Sequence, residues 1–265
     1  VLQHHFNAVC DDIWNRLQNS KAFGISQGEE TLTDNILLYL ASQNISSIKI
    51  IQTPKNLEPI KGTDWEWWIG NRKAGYLRYA VQAKKLDFKS GRYSSLNHKV
   101  GTGSSSVAQH KILEEYARAN KAIPLYAFYN HLEPNDYPKK WNCSLPIDYQ
   151  KLGCTVTPLK NVKKAISRRG CRTFQKIHEF KETVPVRCLA QCPNIAFAQQ
   201  DSNDTTYIPK FDMEAKVYSD PWDWISEMGY LSSWKQVQSE LYDHELGYYP
   251  KRVLLVDTEE HELKK

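Results

Sequence analysis

The chain has 265 residues, 41% hydrophobic and 25% charged, which is one large domain or two modest ones with length enough to bury a sizeable core. Thirty-five Lys and Arg against thirty Asp and Glu give a net charge of +5, a weak overall preference for an anionic partner. No stretch approaches the roughly 18 apolar residues of a membrane-spanning helix, so no membrane partner is expected. Residues 2–18 carry Leu2, Phe6, Val9, Ile13, Trp14 and Leu17 at helical spacing, and Gly24 ends that element. Ser26-Gln27-Gly28-Glu29 reads as a capping box that opens a helix through Leu40, with Leu32, Ile36, Leu37 and Leu40 facing inward. A strand over residues 47–53 is ended by Pro54. A hairpin follows, with arms at 64–69 and 76–84 around the turn-rich Gly70-Asn71-Arg72-Lys73-Ala74-Gly75. Residues 88–106, rich in Lys, Gly, Ser and Tyr, predict a mobile loop. Beyond it, residues 107–119 form an amphipathic helix whose inner side carries Ala108, Ile112, Leu113, Tyr116 and Ala117, and residues 123–129 form a buried strand. The second half predicts a basic helix over 160–169 ended by Gly170, packed helices or an aromatic cover around Trp222, Trp224 and Trp234, and a last strand at 252–257 with no evident chemistry.

The hairpin carries the chemistry. A fold about Lys73 sets Asp64 opposite Gln82. Side chains alternate along a strand, so Asp64 and Glu66 share one face while Trp65 and Trp67 take the other, and Gln82 and Lys84 also share a face. Directly opposed residues lie about 4.5–5.5 Å apart at Cβ, which brings two carboxylates, an amide oxygen and an ammonium together. Such a group suits a hard divalent cation and a water oriented for phosphodiester hydrolysis. The plainer alternative is a half-buried strand in which Asp64 caps the entry and Glu66 pairs with Arg78 or Lys84 across the sheet.

From Ser26 to Asn130 the order is helix, strand, strand, strand, helix, strand. With its acids so placed, this segment resembles the core of the PD-(D/E)XK restriction-endonuclease-like superfamily, over about 105 of the 265 residues. In that family an acid on the first helix, an acid opening the second strand, and E-x-K or Q-x-K closing the third build one metal site. Asp64 matches the strand acid, and Gln82-Ala83-Lys84 matches the Q-x-K variant of Mrr-like members. Glu30 best matches the helix acid, because Leu32, Ile36 and Leu37 follow it in helical register; Glu29 is the second choice and is the residue the capping box would use. The chain is also similar to uncharacterised bacterial proteins with the same Thr-Asp-Trp-Glu-Trp-Trp string. The resemblance implies an α/β fold with a restriction-endonuclease-like core at 26–132, a mixed central sheet flanked by helices, an N-terminal helix at 1–25, and a mainly helical extension at 133–265 packed on the core. It also implies a metal-dependent endonuclease for DNA, or RNA, using Mg2+ or Mn2+, and by analogy a role in bacterial antiviral defence. In this reading Asp64 and Gln82, with Glu30, Glu29 or Glu66, hold the metal. Lys84 orients the water or offsets developing charge, while Gln109 and Tyr116 support the site. Gln82 departs from the Glu of many members; an amide adds no charge, so Glu66 is expected to supply it.

Charge is unevenly spread. Residues 84–121 hold eight bases against three acids, residues 151–182 nine against two, and residues 197–265 seven against fourteen. The basic segments predict a nucleic-acid surface carrying Lys85, Lys89, Arg92, Lys99, Lys163, Lys164, Arg168 and Arg169; solvated faces would give the same count. Six widely spaced cysteines and the absence of a signal-like opening predict a reducing, cytoplasmic setting. Cys188 and Cys192, with Cys143, Cys154, Cys171 or His178, form a candidate zinc set, set against buried free thiols. A nucleic-acid-binding module without cleavage and a protein-interaction domain are the rival functions, and a homodimer or a defence-system partner protein is left open.

Overall fold

The computed structural model describes residues 2–52, 63–71, 75–103, 106–168, 170–191, 217–218 and 252–258. The chain runs α1 (Leu2–Phe23), α2 (Glu29–Ser42), β1 (Ile48–Gln52), β2 (Trp65–Asn71), β3 (Gly75–Lys85), β4 (Lys99–Val100), β5 (Val107–Ala108), α3 (Gln109–Ala119) and β6 (Ile123–Tyr129). It continues through β7 (Cys154–Pro158), α4 (Leu159–Ser167), α5 (Phe174–His178), β8 (Val184–Pro185), α6 (Arg187–Gln191), β9 (Val217–Tyr218) and β10 (Arg252–Asp257). The mixed sheet has the order β1-β10-β2-β3-β6-β7-β8, with β9 paired to one end of β3. β10 runs parallel to β2, and β6 parallel to β3; the other pairs are antiparallel. The fold is α/β, with helices on both faces of the sheet.

Strand parity sorts the side chains into two cores. Trp65, Trp67 and Ile69 of β2, Tyr79, Val81 and Ala83 of β3, and Leu254 and Val256 of β10 pack with α1 and α2. Ala80, Tyr126 and Phe128 pack with Leu113 and Tyr116 of α3, Val162 of α4 and Phe174 of α5. The β2–β3 register pairs Trp65 with Val81 and Trp68 with Arg78, as a fold about residue 73 predicts. Asp64 sits just before β2, and its N–H donates to the Val81 carbonyl at 3.0 Å. Gly153, before β7, packs so closely on α1 that a Cβ would fall 2.1 Å from the Cys10 carbonyl oxygen. Any side chain there would push α1 off the sheet.

Several expectations need correction. Ser26 makes no capping box: α2 starts at Glu29 after Gly28, which supplies no side-chain cap, and Ser26 Oγ instead accepts from Lys85 Nζ at 3.4 Å. The Glu29 carboxylate is thus free to face the sheet. The segment predicted as a mobile loop is built up from Asp87 onward. The Asp87 carboxylate accepts from Lys89 N and Ser90 Oγ, a 3-10 turn spans Ser94–Asn97, and β4 pairs with β5. Tyr93 anchors it, fully buried, 4.2 Å from the Phe128 ring and donating to Asn130 Oδ1 at 2.6 Å. Composition hid this single aromatic anchor among the glycines and serines. From 133 onward the described residues form α4, α5 and α6 and also give β7, β8, β9 and β10 to the same sheet, so the central sheet itself continues into this region. The Trp222, Trp224 and Trp234 cover lies outside the described residues.

Candidate active site

Where β2 begins and β3 ends, side chains from both faces of the sheet meet in a cavity of about 320 Å³. Asp64, Gln82 and Lys84 line it from the hairpin, Glu29, Glu30 and Thr33 from α2, Ser95, His98 and Gln109 from the segment leading into α3, and Arg252 from β10. Asp64 Oδ2 accepts the Ala83 N–H at 2.9 Å and the Gln82 side-chain amide. Glu29 Oε1 accepts the Lys85 N–H at 2.9 Å and the Ser95 hydroxyl at 3.1 Å, while its Oε2 lies 3.8 Å from Lys84 Nζ. Each acid therefore has one oxygen committed to backbone, which fixes its direction. Gln109 presents a buried side-chain oxygen with no hydrogen-bond partner among the described residues.

Burial pushes the Asp64 carboxyl above its ordinary value, and neighbouring Glu29 adds to the rise; the Ala83 N–H, Lys84 and Arg252 work against it. Two carboxylates share a confined space, which a cation would relieve. Tyr126, paired with Gln82 across β3–β6, has a buried hydroxyl without a hydrogen-bond partner among the described residues, and burial together with Asp64 raises its pKa.

A family model described as a family of unknown function, DUF6615, matches residues 2–261, nearly the whole chain. The chain belongs to DUF6615. No curated protein matches it.

In this DUF6615 chain the hairpin trio and both helix acids reach the cavity, but the order of the acids is reversed. Glu29, the second choice, is the one that faces Lys84. Glu30 lines the cavity while its carboxylate lies 3.4 Å from Arg252 Nη2. Glu66 is not part of the cavity. Fully buried, it accepts from Arg78 Nε at 3.0 Å, Arg78 Nη2 at 2.7 Å, Tyr116 Oη at 2.6 Å and Trp68 Nε1 at 3.4 Å. The cross-strand alternative therefore describes Glu66, and Tyr116 supports that buried ion pair, not the candidate site. Glu66 also holds the Arg78 guanidinium above its ordinary pKa despite burial.

Among the described residues no group of three His, Cys, Asp or Glu side chains is disposed to hold a metal ion, so the zinc set finds no support there. Cys143 takes hydrogen bonds from Leu145 N and Arg187 Nη2, His178 is bonded to Thr155 and Phe174, and Cys192 lies outside the described residues. Among the described residues Cys10, Cys143, Cys154, Cys171 and Cys188 form no disulfide. Of the proposed basic surface, Lys85 Nζ donates to the Gln27 carbonyl at 2.5 Å and Lys163 pairs with Glu114 at 2.9 Å. Lys89, Lys99, Lys164 and Arg168 are exposed, Arg92 is half-buried, and Arg169 lies outside the described residues. No helix among the described residues is long and apolar enough to cross a membrane. Sequence reasoning missed Thr33, Ser95, His98 and Arg252. Only Arg252 left a trace, as a charge opening an otherwise apolar strand.

Proposed function

We propose that the cavity is the active site of a metal-dependent nuclease acting on DNA or RNA, with a PD-(D/E)XK-like arrangement of Asp64, Gln82, Lys84 and Glu29. The observation that carries this reading is the meeting of two half-buried carboxylates, Asp64 and Glu29, with the buried Lys84 ammonium in one cavity. The donor set fits Mg2+ or Mn2+ better than a caged metal. Mg2+ retains waters and takes one or two carboxylates plus substrate phosphates, which two acids and the Gln82 amide satisfy. When bound, the cation lowers the pKa of a coordinated water and offsets charge on the scissile phosphate.

The protein's own groups do the rest. Asp64 and Glu29 are held in place by the Ala83 and Lys85 N–H groups, so the donors are oriented before any ligand arrives. Lys84 Nζ lies 3.8 Å from Glu29 Oε2 and its charge also acts on Asp64, which places its ammonium to meet a water or a phosphate oxygen. Gln109 Oε1 needs a donor, and the attacking water would supply one. Exposed Lys89, Lys99, Lys164 and Arg168 would carry the nucleic-acid backbone.

The test is cleavage by the purified chain of plasmid, linear duplex, single-stranded DNA and RNA, with Mg2+, Mn2+ or EDTA. Lys84→Ala and Asp64→Asn serve as controls. Cleavage that needs the metal and vanishes in both variants supports the reading; activity that survives EDTA or Asp64→Asn overturns it. A second reading, binding without cleavage, is favoured by Gln82, whose amide donates to Asp64 where a carboxylate would have added charge. Metal-independent, salt-sensitive binding with no cleavage of any substrate would establish it.

A further inference from the structure

Arg252 is a buried charge in the cavity that the nuclease reading leaves without a role. Along β10, Val253 and Leu255 pack with Trp68 while Leu254 and Val256 pack with the α1–α2 core. Alternation therefore puts Arg252 on the α2 face, level with the start of β2. There its side chain is 2% exposed, Nε donates to Asp34 Oδ1 at 2.6 Å, and Nη2 lies 2.5 Å from that oxygen and 3.4 Å from Glu30 Oε1. Glu30 and Asp34 are one turn apart on α2, so both sit on the same stripe of the helix. Their side chains stay 57% and 46% exposed, which makes the guanidinium the buried member of the trio.

A planar cation tied to two successive turns fixes how far the helix is rotated about its axis. Leu32, Ile36, Leu37 and Leu40 bury one face of α2, while Gly28 gives its first turn no side-chain cap, so the clamp adds a second hold close to Glu29. Stability alone would not require one, since apolar residues of similar volume often replace a buried ion pair without loss. Glu29 precedes Glu30 and depends on that rotation to reach the Lys85 N–H and Ser95.

We propose that Arg252 is a positioning residue: by clamping Glu30 and Asp34 it sets the rotation of α2 and so holds Glu29 against Lys84 and Asp64. The clamp rests on the nuclease reading only for its chemical consequence, because the placement of Glu29 has its own reporter. The Lys85 amide donates to Glu29 Oε1, whereas the adjacent Leu86 amide donates to the Tyr129 carbonyl at 2.9 Å. Amide exchange at these two positions separates a rotated α2 from a weakened sheet.

In the full chain, Arg252→Met is expected to lower protection at Lys85 at least tenfold relative to Leu86, and Arg252→Lys to recover only part of it. Asp34→Ala, a change at a half-exposed position, should do the same with the sheet intact. Affinity for Mn2+, measured by calorimetry, should fall about 10–100-fold in both Arg252→Met and Asp34→Ala, the range seen when a group that orients a metal ligand is removed. Unchanged Lys85 protection in Arg252→Met and Asp34→Ala, or equal loss at Lys85 and Leu86, would overturn the clamp. A wild-type chain that binds no Mn2+ and cuts no nucleic acid would sink the nuclease reading, and the Lys85 amide would still decide the clamp.

Discussion

Replacing Glu66 with alanine strips Arg78 of the carboxylate that takes two of its nitrogens at 2.7–3.0 Å and leaves the Tyr116 hydroxyl without its acceptor at 2.6 Å. Arg78 is 8% exposed, so water cannot replace the lost partner without opening the sheet. Removing one member of such a pair costs about 3–5 kcal/mol, mainly because the other charge stays buried. The total stability of a domain is about 5–15 kcal/mol, so the loss is large. For a chain of this size each kcal/mol moves the midpoint by about 2–4 °C, which gives a fall of about 6–20 °C. Urea and thermal unfolding followed by tryptophan fluorescence would measure it. Glu66→Gln, which keeps the volume and one acceptor, should lose less, and Glu66→Leu combined with Arg78→Met should recover much of the stability. Mn2+ affinity should be unchanged in Glu66→Gln. A Glu66→Ala chain within 1 kcal/mol of wild type, or a Glu66→Gln chain that keeps its stability but loses Mn2+, would return Glu66 to the metal site and refute the reasoning.

Asp64→Asn should abolish metal binding and cleavage while unfolding no earlier than wild type at neutral pH. Burial and Glu29 disfavour the Asp64 charge, so the native state loses stability as pH rises through the ordinary carboxylate value, and the amide removes that loss; a clearly lower midpoint for the variant would contradict this. His178 points the opposite way. Its Nδ1–H donates to the Phe174 carbonyl at 2.9 Å, its Nε2 accepts from Thr155, and burial lowers its pKa to about 4 from 6.5. That contribution is present above 6.5 and is lost as pH falls toward 4, amounting to about 2 kcal/mol between pH 7 and 5. Urea titrations at those two pH values should show the loss in wild type and a smaller one in His178→Gln, and equal slopes would count against it. Joint replacement of Lys89, Arg92 and Lys99 by alanine should flatten the salt dependence of nucleic-acid binding by about 0.9 per lost contact on duplex and about 0.7 on single strands; an unchanged slope would point to Lys164 and Arg168 instead.

The hairpin was legible because strand parity and turn placement are local: Asp64, Gln82 and Lys84 face one cavity from that arithmetic alone. The α2 acids were legible only as a pair. The apolar stripe Leu32, Ile36, Leu37 and Leu40 sets the rotation of α2 only coarsely, and which of the adjacent Glu29 and Glu30 turns inward depends on contacts made outside residues 26–42. Glu66 shares Asp64's parity, and parity could not show that Arg78 and Tyr116 would close around it. Tyr93 escaped notice because one buried aromatic does not alter the composition of a glycine- and serine-rich segment. Arg252 escaped because its partners, Asp34 and Glu30, are contacts across the whole length of the chain, beyond the reach of any sequence window.

The place of β10 between β1 and β2 also shapes how the molecule comes into being. Its two neighbours are made early, and residues 48–52 and 65–71 must wait for residues 252–257 before either gains its partner on that side. A chain emerging from the ribosome therefore passes through forms with two open, apolar strand edges, the kind of surface that recruits other chains. Pairings so distant in sequence form slowly, because loop closure must precede any contact. In refolding, amides of β1 and β10 should gain protection together in the slowest phase. Until that phase the cavity lacks one of its walls.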